Sequence, residues 1–466
     1  MNENAKLSLY YRLPYFIQQW LFNLKAKQKY QNRVYGEFDT YYNRIKSLWN
    51  ADLIEIKNYQ ERELIRLLNQ AYMFSDWYKN VFDVNKIDIN YINKSPYKVL
   101  KKLPFLTKED IKNNLDQIAN KNPDLGEGII NYTSGSTGSP MKTLACENSE
   151  NRLHAIKKRF HTSVGVPFKN RCVRLSGNQI IAKTRKRPPF WHHNKYENIW
   201  FFSLYHITKN NLPSYINKLN EVKPHLLDGY PSGIYVLANY ILNNNCKLTF
   251  TPKAICTTAE PLTVNIRVTI EEAFQCKVFN QYSSSEGATF ITECKNGKLH
   301  INEDTGIIEY FNEEGETGKP GERCEMVVTG FINKKTPLIR YKTGDWVQLP
   351  KVNESCSCGC NMPVVSEIFG RFEDYLIDEN GVEQGMVSYR VFKKADHIIK
   401  AQIIQKSEKN VTVKLVKDDG YDKKEEDYIK SKIRDILGGS IELNFNYVRD
   451  IELGPNGKFK TVKRKF

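Results

Sequence analysis

From about residue 129 to residue 347, short apolar runs alternate with stretches of helical periodicity, and this alternation limits the fold more than any other feature of the chain. Val173-Arg174-Leu175-Ser176, Ile199-Trp200-Phe201-Phe202, Ala254-Ile255-Cys256 and Val278-Phe279-Asn280 read as strand ends, with helices expected over 214–219 and 233–242. Strands separated by helices fit an α/β domain, because each crossover helix covers a face of the sheet it leaves. The first hundred residues read as helical. Within 61–72, Leu64, Ile65, Leu67, Leu68 and Ala71 recur at helical spacing. Residues 13–21 open a Trp- and Phe-containing amphipathic segment whose polar face is only modestly basic. Its apolar face is expected to pack on the main body, with a membrane-surface helix as the alternative.

Residues 301–369 look richer in strands, and alternation restarts over 398–405, 411–417 and 425–437 as a small α+β unit. The expected organisation is a large domain over 1–369 and a small domain over 370–466. The large one has a helical leader over about 1–100 and a β-rich part over about 290–369. A chain of 466 residues can bury separate cores in two or three such units. No run approaches the roughly 18–20 apolar residues that span a bilayer. Met1-Asn2-Glu3-Asn4-Ala5-Lys6 lacks the layout of a secretory signal, so the expected location is cytoplasmic.

The formal charge of +16 is compatible with an anionic partner: nucleic acid, a membrane surface or a phosphate-bearing cofactor. The excess is spread out, with local peaks at 183–187 and 458–465, and reads as a solvated basic surface without the contiguous face that nucleic acid needs. Of the ten cysteines, six are scattered singly (Cys146, Cys172, Cys246, Cys256, Cys276 and Cys324) and fit small core residues. The other four are Cys294 and the cluster Cys356-Ser357-Cys358-Gly359-Cys360.

The strongest local motif is Tyr132-Thr133-Ser134-Gly135-Ser136-Thr137-Gly138-Ser139-Pro140-Met141-Lys142. Glycines let backbone N–H groups turn toward an anion and hydroxyls add donors, which together make a phosphate cradle; a plain Gly/Ser surface loop is the alternative. It is not the G-x-x-x-x-G-K-[ST] loop, since Lys142 comes too late. Four more motifs follow in order: Gln281-Tyr282-Ser283-Ser284-Ser285-Glu286-Gly287, Ile339-Arg340-Tyr341-Lys342-Thr343-Gly344-Asp345, Gly370-Arg371-Phe372-Glu373-Asp374 and Asn456-Gly457-Lys458.

In order and spacing these five motifs resemble the adenylate-forming superfamily of acyl-CoA ligases, luciferases and peptide-synthetase adenylation domains. The finer resemblance is to the phenylacetate–CoA ligase-like branch, including the CapK-like proteins of surface-polysaccharide gene clusters. It is carried by Leu103-Pro104-Phe105-Leu106-Thr107-Lys108-Glu109-Asp110-Ile111, by Leu227-Asp228-Gly229-Tyr230-Pro231-Ser232 and by residues 13–19. The resemblance implies a large N-terminal domain with mixed β-sheets flanked by helices, and a small mobile C-terminal α+β domain. It also implies a cytoplasmic ligase that joins ATP and a carboxylic acid into an acyl-adenylate with release of pyrophosphate. Transfer would follow to CoA or to another acceptor: an amine, a hydroxyl or a carrier protein. A basic, zinc-containing nucleic-acid-binding protein is the rival of another class, and no nucleic acid is expected as a partner.

Carried over by motif, Thr133, Ser134, Gly135, Ser136, Thr137 and Gly138 would hold the phosphates of ATP. Glu286 would ligate Mg2+, and Tyr282 with Ser283 would flank the adenine. Asp345 would accept both ribose hydroxyls and Arg371 would touch ribose or phosphate. Lys458 would bridge the substrate carboxylate and the α-phosphate, where two anions must meet. His206, Tyr230 and Ser232, with Tyr282, would line the acyl pocket; for His206 a core position is the alternative. Three serines precede Glu286 where the family has Gly or Thr, and Glu373 stands where it has Asp, so either Glu373 or Asp374 would be the hinge.

Cys294 and His300 flank a turn-forming Asn296-Gly297, and the same branch pairs Cys-x5-His with a later Cys-x-Cys-Gly. Cys294, His300, Cys356 and Cys358, with Cys360 as a substitute, are therefore expected to hold a structural Zn2+. A redox or loop cluster is the alternative.

Overall fold

A computed structural model describes the chain except for residues 1–8, 133–140, 261, 285, 353–354, 372–375, 380, 382, 385–386, 393–394, 396 and 453–459; Arg371 is described by its backbone alone. The leader is helical. Its longest segments are Tyr15–Val34 and Leu53–Phe74, followed by Asp76–Val84, Pro96–Lys102 and Lys108–Ile118. Local chemistry sets these boundaries. Asp52 accepts from the Glu55 amide, and Thr107 and Asp110 form a reciprocal capping box; such a cap is worth about 1 kcal/mol. The helix over 53–74 buries Leu64, Leu67, Leu68 and Ala71.

Strands β1 (Ile129–Tyr132) and β2 (Lys142–Ala145) form an antiparallel pair. Next along the chain come β3 (Cys172–Ser176), β4 (Trp191–Asn194), β5 (Ile199–Ser203), β6 (Leu226–Gly229), β7 (Ala254–Thr258), β8 (Val278–Ser283), β9 (Phe290–Glu293) and β10 (Leu299–Ile301). They are followed by β11 (Gly306–Phe311), β12 (Arg323–Gly330), β13 (Tyr341–Gln348), β14 (Val364–Val365) and β15 (Glu367–Arg371). A nine-stranded sheet runs β14-β10-β9-β8-β7-β6-β3-β5-β4, and a four-stranded sheet runs β11-β12-β13-β15.

The centre of the large sheet is parallel from β8 to β5. Helices Leu212–Val222, Pro231–Asn243 and Val264–Phe274 make the crossovers. All four residues of β6 are buried, as expected where both faces of a parallel sheet are covered. The expected strand ends lie within β3, β5, β7 and β8, whereas β6 is a strand where the sequence showed only a motif. Its last residue must be glycine. Gly229 has φ 149°, and a Cβ there would sit 1.8 Å from the Leu175 carbonyl oxygen.

The chain ends in the short strands β16 (Leu376–Ile377) and β17 (Glu383–Gln384), then β18 (Ile398–Ser407), β19 (Asn410–Lys417), β20 (Glu442–Tyr447) and β21 (Val462–Arg464). The last four form a sheet in the order β20-β19-β18-β21. Helix Lys423–Leu437 buries Ile429, Ile433, Ile436 and Leu437 in the same core as Ile403, Val411 and Val413 of β18 and β19. The whole is the mixed α/β architecture the sequence anticipates.

Candidate functional site

In a parallel α/β sheet the usual binding crevice lies beyond the carboxyl ends of the strands, where successive loops diverge. Here β8 ends in Tyr282 and Ser283. The Tyr282 hydroxyl donates to Asp345 Oδ2 at 2.6 Å, joining two motifs 63 residues apart. Asp345 is buried in β13 of the other sheet, and its backbone pairs with Arg371 of β15. Its amide donates to Thr343 Oγ1 at 3.1 Å, and that hydroxyl donates to the Met326 carbonyl at 2.9 Å. β13 is in turn stitched to the leader: the Leu106 amide donates to the Arg340 carbonyl at 3.0 Å, and the Lys342 amide to the Leu106 carbonyl at 2.9 Å. The Arg340 guanidinium meets both Glu309 carboxylate oxygens at 3.0 Å and the Leu103 carbonyl at 2.7 Å. The Leu103–Ile111 motif thus braces the strand that carries Asp345.

Beyond Ser283 the chain turns tightly. The Gly287 amide donates to the Ser284 carbonyl, the Ala288 amide donates to Ser284 Oγ at 2.8 Å, and Gly287 adopts φ 76°. This turn holds Glu286 buried. Segment 333–336 ties it to the phosphate-loop motif: Asn333 Nδ2 donates to the Glu286 carbonyl at 3.4 Å, while the Leu144 amide donates to Thr336 Oγ1 at 2.9 Å. Leu144 lies in β2, and the β1–β2 pair brackets residues 133–140. Residues 133–138, Glu373, Asp374 and Lys458 lie outside the described residues, as does the side chain of Arg371.

Tyr230 and Ser232 also lie at the carboxyl ends, at the start of helix Pro231–Asn243. The Tyr230 amide donates to the Leu175 carbonyl, and burial raises the pKa of its hydroxyl. The Ser232 amide donates to a Glu260 carboxylate oxygen at 3.1 Å. Sequence reasoning passed over Glu260, a carboxylate two residues past the end of β7. His206 faces inward. Its Nδ1 pairs with Ser203 Oγ at 2.8 Å, its Nε2 with the Ala182 carbonyl at 3.0 Å, and its ring stacks on Phe190. Both nitrogens are engaged by the fold, the arrangement of a satisfied core histidine, and burial lowers its pKa.

A second cluster forms beside the antiparallel end of the large sheet. The donor atoms of Cys294, His300, Cys356 and Cys358 all lie within 4.8 Å of one another. Cys294 Sγ is 3.7 Å from Cys356 Sγ, and Cys358 Sγ is 3.4 Å from His300 Nε2. Tetrahedral zinc with ~2.3 Å Zn–S and ~2.0 Å Zn–N bonds separates its ligands by ~3.5–3.8 Å, so these spacings fit. His300 Nδ1 donates to the Met362 carbonyl at 2.8 Å, which leaves the lone pair on Nε2, the nitrogen that faces the thiols. Cys360 is outside this set. It packs in an apolar cluster with Leu48, Ile56, Tyr59 and Met362, and burial pushes its thiol up to about 12.

Charges also gather between the large sheet and helix Glu147–Ser163. A cavity of about 290 Å³ there is lined by His154, Lys157, His161 and Arg174, with Cys172, Ile199 and Leu226 at the amino ends of the strands. Behind it, Asp228 is buried, 2.6 Å from Arg174 Nε, 2.8 Å from Lys157 Nζ and 4.0 Å from His161 Nε2. Burial alone would raise its pKa; Arg174, Lys157 and His161 reverse that and hold the carboxyl well below the usual range.

Residues 377–465 match the CapK C-terminal domain. The chain is 34% identical to Protein CapK of Staphylococcus aureus over 462 residues, covering 97% of both chains. Among solved structures it is similar to a 2-hydroxyisobutyryl-CoA ligase in the postadenylation state, with TM-score 0.65, 14% identity and coverage of 85% of this chain and 86% of that one. The same ligase with CoA in the thioesterification state gives a TM-score of 0.57 at 14% identity over 89% and 91% of the two chains. The fold is therefore that of adenylate-forming ligases, and the chain belongs to the CapK family.

Proposed function

We propose that this protein is an AMP-forming ligase that activates a carboxylic acid with ATP. The observation that carries the reading is the Tyr282–Asp345 hydrogen bond beside buried Glu286, at the carboxyl ends of the parallel strands. Asp345 accepts from the ribose hydroxyls, the 133–138 loop cradles the phosphates and Arg371 approaches the ribose or phosphate. Glu286 would hold Mg2+, which when bound would offset charge on the departing pyrophosphate. A carboxylate oxygen of the acid attacks the α-phosphorus, the bond to the β-phosphate oxygen breaks, and Lys458 draws the two anions together. A nucleophile then attacks the acyl carbon and AMP leaves; the thiol of CoA is the first candidate, with an amine, a hydroxyl or a carrier protein as the other acceptors. In this reading residues 1–369 and 370–466 are two domains, with the smaller one turning between the half-reactions. The phenylacetate–CoA ligase-like resemblance favours an aryl or similar acid, and the CapK-like resemblance favours a role in surface-polysaccharide biosynthesis. The test is pyrophosphate release across aryl, fatty and sugar acids, with and without CoA. Release should require one acid class and fall at least 100-fold in Lys458→Ala; unchanged release in that variant would sink the reading.

The four converging ligands support a bound, closed structural Zn2+ in the same reading. Purified protein should carry about one zinc per chain by mass spectrometry of metals. Cys294→Ser should lose it and melt several degrees lower, while Cys360→Ser should keep it. Loss of zinc from Cys360→Ser with retention in Cys294→Ser would reverse the ligand assignment.

A further inference from the structure

Among the described residues, the helix Tyr15–Val34 is held to the edge of the large sheet along one side, and near its end Asn32 and Arg33 meet Asn151 and Glu150. Tyr15 donates to the Trp191 carbonyl at 2.7 Å, Gln19 and Asn23 donate to the His193 carbonyl at 2.7 and 3.0 Å, and Phe22 stacks on His192. These contacts fix the helix to β4, the edge of the large sheet. Its opposite side repeats large apolar residues every four positions, and they stay in solvent: Phe16 is 72% exposed, Trp20 61% and Leu24 47%. The packing expected from the sequence therefore accounts for one face of this helix and leaves another uncovered.

Charge identifies what would cover it. From residue 4 to residue 36 the sequence has no Asp or Glu, while Lys6, Arg12, Lys25, Lys27, Lys29 and Arg33 are basic. Arg12, Lys25, Lys27 and Lys29 are exposed. The basic run at 183–187 lies alongside, with the Arg185 guanidinium 5.3 Å from the Tyr15 ring centre and Lys186 and Arg187 exposed. A row of Phe, Trp and Leu rimmed by cations suits the boundary between headgroups and acyl chains of an anionic bilayer. The helix is not long and apolar enough to cross one.

We propose that this helix seats the protein on anionic membranes, with Phe16, Trp20 and Leu24 inserted among the acyl chains and the flanking cations against lipid phosphates. Insertion is reversible and interfacial, so binding weakens with salt. The test is co-sedimentation of the full chain with vesicles of 70% phosphatidylcholine and 30% phosphatidylglycerol, beside pure phosphatidylcholine vesicles, at low and high salt. Partitioning should be at least tenfold greater on the anionic vesicles. It should fall at least tenfold both in Phe16→Ser/Trp20→Ser and in Lys25→Glu/Lys27→Glu, with melting temperature unchanged. No binding, equal binding to neutral vesicles or wild-type binding by both variants would overturn the proposal. So would a solution dimer that Phe16→Ser/Trp20→Ser dissociates, since a second copy would then cover the stripe.

Discussion

Two buried aspartates, one in each of the two larger sheets, meet different described partners. Asp228 sits in β6 against Arg174 and Lys157, so its negative charge is met by the protein's own cations, with the His161 ring 4.0 Å away. Asp345 sits in β13, where among the described contacts it accepts from the Tyr282 hydroxyl, on a strand fixed through backbone bonds and Arg340. A carboxylate strapped by cations is a structural fixture, because separating the group leaves unpaired charge in the interior. One oriented by a hydroxyl at a crevice is suited to taking hydroxyl donors from a ligand.

The two substitutions Asp228→Asn and Asp345→Asn should therefore fail in different assays, and this is the largest expected effect. Asp228→Asn leaves Arg174 and Lys157 without their counter-charge and should cost roughly 3–5 kcal/mol of stability, read as a shift in the denaturant midpoint. Asp345→Asn should leave the midpoint nearly in place. It should lower kcat/KM for ATP by roughly 100-fold, the loss of two charge-assisted hydrogen bonds to ribose at about 1.5 kcal/mol each. If Asp345→Asn unfolds the protein while Asp228→Asn only slows it, the assignment of the two regions is inverted.

The site residues were more legible in the sequence than the contacts that hold them. The order of the motifs pointed to the crevice, and the Cys-x5-His and Cys-x-Cys pieces named four side chains whose donor atoms do converge. Both are signals of residue type at short spacing. What the sequence hid depends on contacts between distant segments. Arg340 read as part of a motif, yet its guanidinium ties β13 to Leu103 and Glu309. Asn333 and Thr336 belong to none of the motifs, yet they link the Glu286 turn to β2. Asp228 stood in a signature as a neighbour of Gly229, and nothing local announced that Arg174, 54 residues earlier, would face it. β6 escaped notice because Asp228-Gly229 interrupts its apolar run. Period and composition report one face of one element, and none of these pairings has a period.

A subtler test separates the two regions by pH. His154 and His161 lie on the helix face toward Asp228. Burial first, and then the cations Arg174 and Lys157, with Arg33 also acting on His154, lower both histidines to about 3; for His161 the Asp228 carboxylate opposes the shift without reversing it. The unfolded chain would protonate them near the ordinary value of ~6.5. As pH falls from about 6.5 toward 3 the unfolded state takes up protons that the folded state refuses, so stability declines across that window and is whole above it. Asp228 acts elsewhere. Its depressed pKa gives stability that is present above the ordinary carboxylate range and is lost only in stronger acid, so it adds no slope between pH 6.5 and 5. Burial also lowers His192, His193, His206 and His225, so the wild-type slope belongs to several groups. The informative quantity is the difference made by His154→Phe, a ring for a ring between Phe38 and Phe168. Unfolding free energies at pH 6.5 and 5.5 should diverge less in the variant, by at most ~1.4 kcal/mol per pH unit, the contribution of one proton. Identical slopes would mean that His154 is as easily protonated folded as unfolded, and the cation-strapped side of the sheet would lose its distinction from the crevice.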